Sequence, residues 1–98
     1  MAKSILQVER ECYLCGKNGL SDPLDEHHIF GASNRKKSEK YGLKVYLCHH
    51  SCHIFGKDSV HKNATVNNAL KAKAQEKAME YYGWSVDDFR NLFDKNYL

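Results

Sequence analysis

The four cysteines and six histidines of this chain all lie between positions 12 and 61 of 98. These are the side chains that hold transition metals. Seven of the ten make three groups: Cys12-x2-Cys15, the doubled histidine of Asp25-Glu26-His27-His28-Ile29-Phe30, and Cys48-x3-Cys52 with His53 directly after it. Two thiol pairs at these spacings can close a tetrahedral zinc shell. A closed four-sulfur shell leaves no position for water or substrate, so such a zinc is expected to be structural and coupled to folding. Two disulfides are the competing use of four cysteines. Against them, the first residues show no long apolar stretch or cleavage-like segment, and no run approaches the ~20 apolar residues that span a membrane. A cytoplasmic protein is therefore expected, with reduced thiols and no membrane partner.

If the thiols satisfy one metal, the imidazoles are released for another task. Successive side chains of a strand point to opposite faces, so one of His27 and His28 can turn to an ion while the other faces a substrate. Histidine suits a base, since its unperturbed pKa is ~6.5. Asp25 shares the face of His27 and can orient a ligand imidazole. Arg35, Lys36, Lys37, Lys40 and Lys44 follow, against the single acid Glu39. The net charge of +3 is mild, but a local basic cluster is the usual footprint of phosphate binding. Base, cation and positive surface are the three needs of phosphodiester hydrolysis.

Taken together, Cys12-x2-Cys15, then Asp25-Glu26-His27-His28-Ile29, then a strand ending in Leu47-Cys48-x3-Cys52-His53, resembles the HNH endonuclease family. The likeness is to the zinc-bearing type common in phages and prophages and covers about residues 10–62. It implies an α+β fold with a small ββα-metal (His-Me finger) core: a two-stranded ribbon, then a helix, gripping one divalent ion. It implies that His27 is a ligand of that ion, that His28 is the general base, and that His53 is the ligand supplied by the helix. Cys12, Cys15, Cys48 and Cys52 match the family's structural Zn2+ site. The ion expected at the active site is Mg2+ or Mn2+, with Ni2+ or Zn2+ as alternatives. DNA is the implied partner, nicked or cut through both strands to a 5′-phosphate and a 3′-hydroxyl, with Arg35, Lys36, Lys37 and Lys40 along its backbone. A homodimer and phage or recombination proteins are further partner candidates.

Two positions depart from the family pattern. Leu43 stands where members usually carry an asparagine that braces the ribbon, and Asn34 is the candidate replacement. Lys57 stands where a second helical ligand often follows the first. His61 is the next histidine, eight residues after His53. That is ~12 Å on a straight helix, so His61 can join the ion only if the chain breaks near Gly56. Two other functions compete: a non-catalytic zinc-ribbon module that binds DNA or protein, and an adaptor whose working part is the helical tail.

The elements that must position these residues are expected as follows. Ile5–Val8 is weakly strand-like, Gly16 lets the first thiol pair curl into a knuckle, and His28–Phe30 is a strand ended by Gly31. Residues 33–42 form a polar basic loop, and Leu43–Cys48 alternates as a second strand. Residues 49–63 begin as a helix. From Ala64 to Tyr82, Val66, Leu70, Ala74, Ala78 and Tyr81/Tyr82 make a helical stripe, ended by Gly83. Ser85 caps a last helix whose buried face is Val86, Phe89, Leu92 and Phe93, with Trp84 as a core anchor. One domain is expected, marginal without a metal staple: a zinc-stabilised nuclease core over 1–63, and over 64–98 a helical extension packed on or extending that core, with no chemistry of its own.

Overall fold

The computed structural model describes residues 3–54, 56, 57 and 59–98. It is a small α+β protein. Strand β1 (Leu24–His28) is followed by helix α1 (Arg35–Tyr41), strand β2 (Lys44–Cys48), a π-helical turn (His49–Ile54), the long helix α2 (Ala64–Tyr82) and helix α3 (Val86–Phe93). The two strands form one antiparallel ribbon, with Leu24 opposite Cys48, Asp25 opposite Leu47 and His27 opposite Val45. Among the described residues no helix is long and apolar enough to cross a membrane.

The first strand lies earlier than the apolar pattern suggests, because Ile29 and Phe30 leave the ribbon to enter the core. Both are buried. The Ile29 N–H still donates to the Leu43 carbonyl at 3.0 Å, while the Ser38 hydroxyl accepts from the Phe30 N–H at 3.1 Å and donates to the Phe30 carbonyl at 2.7 Å. Ser38 stands on α1, which occupies the stretch expected to be a loop. Its Arg, Lys and Glu residues favour helix, but its buried anchor is a serine, so no apolar stripe announces it. Gly42 ends α1 at φ +71. A Cβ there would also lie 2.2 Å from the Lys3 carbonyl oxygen, where the N-terminal segment crosses. That segment is not a strand. It lies along β2 mainly through side chains: Ser4 Oγ donates to the Lys44 carbonyl at 2.6 Å, and Gln7 Oε1 accepts from the Tyr46 N–H at 2.9 Å.

Helix α2 starts at Asn63, whose side chain accepts from the Val66 N–H, and ends at Gly83 in the left-handed region. Its Leu70, Ala74 and Ala78 are buried, whereas Tyr81 is exposed. Helix α3 opens with a Ser85–Asp88 capping box. Phe89 and Phe93 are buried, but Val86 is 37% exposed at the helix start. The Phe30 ring lies 5.4 Å from Phe89, 4.9 Å from Phe93 and 5.3 Å from Tyr97. Trp84 stacks on Tyr82 at 4.7 Å and meets Tyr41 edge-on at 4.9 Å. One apolar cluster thus joins ribbon residues Val45 and Leu47 to the C-terminal helices.

Candidate metal centres

Four donor groups among the described residues could hold an ion: one of four sulfurs, one of three imidazoles, and the mixed groups Asp25–His49–His53 and Glu26–His28–Glu39. Cys12, Cys15, Cys48 and Cys52 bring four sulfurs within 4.8 Å of one another. Gly16, at φ +79, lets its N–H reach the Cys12 carbonyl at 2.8 Å, and the Cys15 N–H points at Cys12 Sγ at 3.4 Å. Cys48 ends β2, and Cys52 sits in the π-helical turn. All four are free thiols in this structure. Burial opposes ionisation of Cys12, but N–H groups of Cys48, Cys15 and Leu14 and the Cys15 thiol outweigh it and bring Cys12 down to about 7. Burial, then the neighbouring thiols, pushes Cys48 up to about 12 and Cys52 upward as well. The cluster therefore accepts a first negative charge and resists further ones. Only a cation between the sulfurs makes several thiolates favourable together, so the four cysteines can hold a metal such as zinc.

The second cluster is His27, His53 and His61, with one ring nitrogen from each within 4.8 Å of the others. The ring centroids are 5.0 Å apart for His27–His53, 6.0 Å for His27–His61 and 4.8 Å for His53–His61. His27 comes from β1 and His53 from the π-helical turn. His61 arrives because the chain doubles back after that turn: the Val60 N–H donates to the Cys52 carbonyl at 2.9 Å and the His61 N–H to the His53 carbonyl at 3.2 Å. Gly56 permits the reversal. A Cβ there would lie 1.9 Å from the Ser51 carbonyl oxygen.

Three details suit this cluster to an ion. His27 Nε2 is buried and lacks a hydrogen-bond partner among the described residues, a costly arrangement unless something accepts its lone pair. His53 Nδ1 lies 2.9 Å from Asp25 Oδ2, which leaves Nε2 as the ligating nitrogen. Burial first, then the charges of His53, His61, His28 and Lys71, lower His27 to about 4, so at neutral pH it is the neutral imidazole that a metal requires. Asp25 also takes His49 Nδ1 at 2.5 Å. Burial opposes its charge, but the two imidazoles prevail and hold its carboxyl below the usual range.

A cavity of about 550 Å³ opens beside this cluster, lined by Glu26, His27, His28, Gly31, Arg35, His53, His61, Asn67 and Lys71 among others. His28 Nε2 lies 3.4 Å from Glu39 Oε1 and 3.9 Å from Glu26 Oε1. Lys44, only 5% exposed, reaches Glu39 at 2.5 Å and Glu26 at 3.6 Å.

Not every residue singled out in the sequence meets here. Of the four cations expected along DNA, only Arg35 lines the cavity. Lys37 donates to the Leu92 carbonyl, Lys40 lies 5.3 Å over the Tyr41 ring, and Lys36 is exposed. Asn34 donates to the Phe93 carbonyl at 3.3 Å and so ties the turn after β1 to α3 rather than bracing the ribbon. The brace is supplied by Ser38 and by the Leu43 carbonyl, while the Leu43 side chain fills the core. The sequence reading named Glu39 and Lys44 only in the charge balance, without a site role, and missed, on α2, Asn67 and Lys71. The last two stand four residues apart on one helical face beside the apolar stripe, which is the signal that could have shown them. It also missed Asp22, whose carboxylate accepts the His50 and Ser51 N–H groups at 2.9 Å each and so caps the turn that carries Cys52 and His53.

The chain matches no protein-family model, and comparison with curated proteins and with solved structures finds no match.

Proposed function

We propose that this protein is a cytoplasmic, metal-dependent DNA endonuclease of the HNH type, its ribbon and following turn forming a ββα-metal core. The observation that carries this reading is the open three-imidazole cluster, in which the buried His27 Nε2 lacks a partner and His28 stands alongside in the same cavity. A structural zinc needs nothing of the kind, because the four thiols close a shell of their own. A divalent ion held by His27, His53 and His61 would supply positive charge for a nonbridging phosphate oxygen and the departing 3′-oxygen.

The protein's own groups do the rest. Asp25 fixes the ring of His53. With His28 Nε2–H given to Glu39, Nδ1 carries the lone pair that removes a proton from water. The water oxygen bonds to phosphorus, the P–O3′ bond breaks, and the departing 3′-oxygen takes a proton from solvent to become a hydroxyl. Arg35 holds the strand by its phosphate. Plasmid nicking with Mg2+ or Mn2+ tests the assignment: His28→Ala should lose at least ~100-fold in rate while still binding DNA, and undiminished cleavage would refute the role of His28.

The four-thiol cluster by itself also suits a non-catalytic zinc ribbon that binds DNA or protein. Metal content separates the two. The nuclease binds a second divalent ion that His27→Ala weakens, whereas the ribbon binds one zinc only.

A further inference from the structure

The basic stretch after β1 spends most of its charge away from the cavity, leaving a strand of DNA with Arg35 alone from that side. Helix α2 supplies a second cation. Lys71 lines the cavity with the three imidazoles and pairs with none of the carboxylates of the described residues, unlike Lys44, which pairs with two. Its position is built. The Lys71 ammonium lies 5.4 Å over the Tyr97 ring. Tyr97 is in turn fixed by its N–H donating to the buried Gln75 at 2.7 Å and by its ring against Phe30 at 5.3 Å. Gln75 also donates to Asn96 at 2.7 Å, so the last residues of the chain are clamped onto α2 one turn beyond Lys71. An ammonium held beside three imidazoles that converge on a cation repels that cation. The arrangement becomes favourable when an anion enters between them.

Resting on the nuclease reading above, we infer that Lys71 is a substrate-binding residue whose ammonium takes a phosphate oxygen of the DNA strand in the cavity, so that the C-terminal helices complete the active site. The segment expected to carry no chemistry then supplies part of the substrate grip, and Tyr97 sets the height of the lysine above it.

The test compares Lys71→Met, which keeps the stem over Tyr97, and Lys71→Arg, which keeps the charge, with wild type in the full zinc-loaded chain. Cleavage kinetics of a short DNA duplex are measured with Mn2+, together with duplex affinity in Ca2+ as a function of salt and Mn2+ affinity without DNA. Lys71→Met should raise KM about 10-fold and make the slope of log K against log salt less negative by about 0.9. Its Mn2+ affinity should be unchanged or higher, and Lys71→Arg should recover most of the loss. If wild type cleaves and Lys71→Met has the same KM and salt slope, the inference is overturned and the nuclease reading stands. If Lys71→Met loses Mn2+ affinity together with DNA, the lysine supports the centre rather than the substrate, and the inference is again overturned. A wild-type chain that cleaves nothing with any divalent ion overturns both.

Discussion

On the proposed reading, replacing Gly56 with alanine should abolish metal binding by His27, His53 and His61 while sparing every one of these imidazoles. The added Cβ would stand 1.9 Å from the Ser51 carbonyl oxygen and 2.7 Å from its carbon. A carbon–oxygen contact needs about 3.3 Å, so the two backbones must separate by roughly 1.4 Å, the difference of those distances. The oxygen is main chain and has no rotamer to escape into. Separation opens the reversal that seats His61 beside His53, held by the Val60–Cys52 and His61–His53 backbone bonds. Metal–ligand distances tolerate only about 0.2 Å, so His61 leaves the ion. Losing even an outer partner of a ligand costs 10–100-fold, and loss of the ligand itself should cost at least about 100-fold. Overpacking of this kind also destabilises by about 1–3 kcal/mol. Calorimetric titration of zinc-loaded protein with Mn2+ and a urea melt read the two effects. His61→Ala is the control, expected to share the affinity loss with little of the stability loss. A Gly56→Ala protein that binds the second ion within about 3-fold of wild type and melts with it would refute the close approach at Gly56 and the role of His61 together.

On the same reading, Asp25→Ala should weaken ion binding at the three imidazoles 10–100-fold and leave zinc binding by the four thiols unchanged, measured by metal titration followed by elemental analysis. Ser38→Ala leaves the buried Phe30 N–H and carbonyl without their hydroxyl and should cost about 2 kcal/mol in a urea melt. Asp22→Asn should destabilise the protein in a pH-dependent way. The His50 N–H, opposed by desolvation and aided by the Ser51 N–H, holds the Asp22 carboxyl below its ordinary value. A depressed folded pKa gives stability that is present above the unfolded pKa of ~3.9 and lost as pH falls through the folded one. Compared at equal zinc occupancy, the gap between wild type and variant should therefore be full at pH 7 and narrow below about pH 4.

The thiol cluster was legible because cysteine spacing alone encodes a knuckle, and Gly16 after the first pair marks the tight turn it requires. The C-terminal helices were legible because Asn63, Gly83 and Ser85 are capping residues flanking periodic apolar runs. Helix α1 was not, since its inward anchor is Ser38, whose value lies in two hydrogen bonds to the Phe30 backbone in the turn after β1. The first strand was misplaced for a related reason: Ile29 and Phe30 are the most strand-like residues locally, yet burial against Phe89 and Phe93 outweighs another ladder pair. His61 could be brought beside His27 and His53 only by a break that spacing can permit but not impose. The placement of Lys71 in the cavity and of Glu39 against His28 depends on which helix face meets the ribbon, a fact of tertiary packing that no local pattern carries.

The π-helical turn places Cys52 and His53 side by side, so a single stretch of backbone answers to both clusters. On the nuclease reading this imposes an order of assembly. The sulfur site must fill before the imidazole beside it acquires a fixed position, and the hydrolytic ion therefore finds a finished seat only in a chain already loaded with zinc. On that reading, newly made or zinc-starved molecules would be harmless to nearby DNA for the same reason that they would be unstable, and oxidation of the thiols would disarm the site without touching a residue proposed to handle the phosphate.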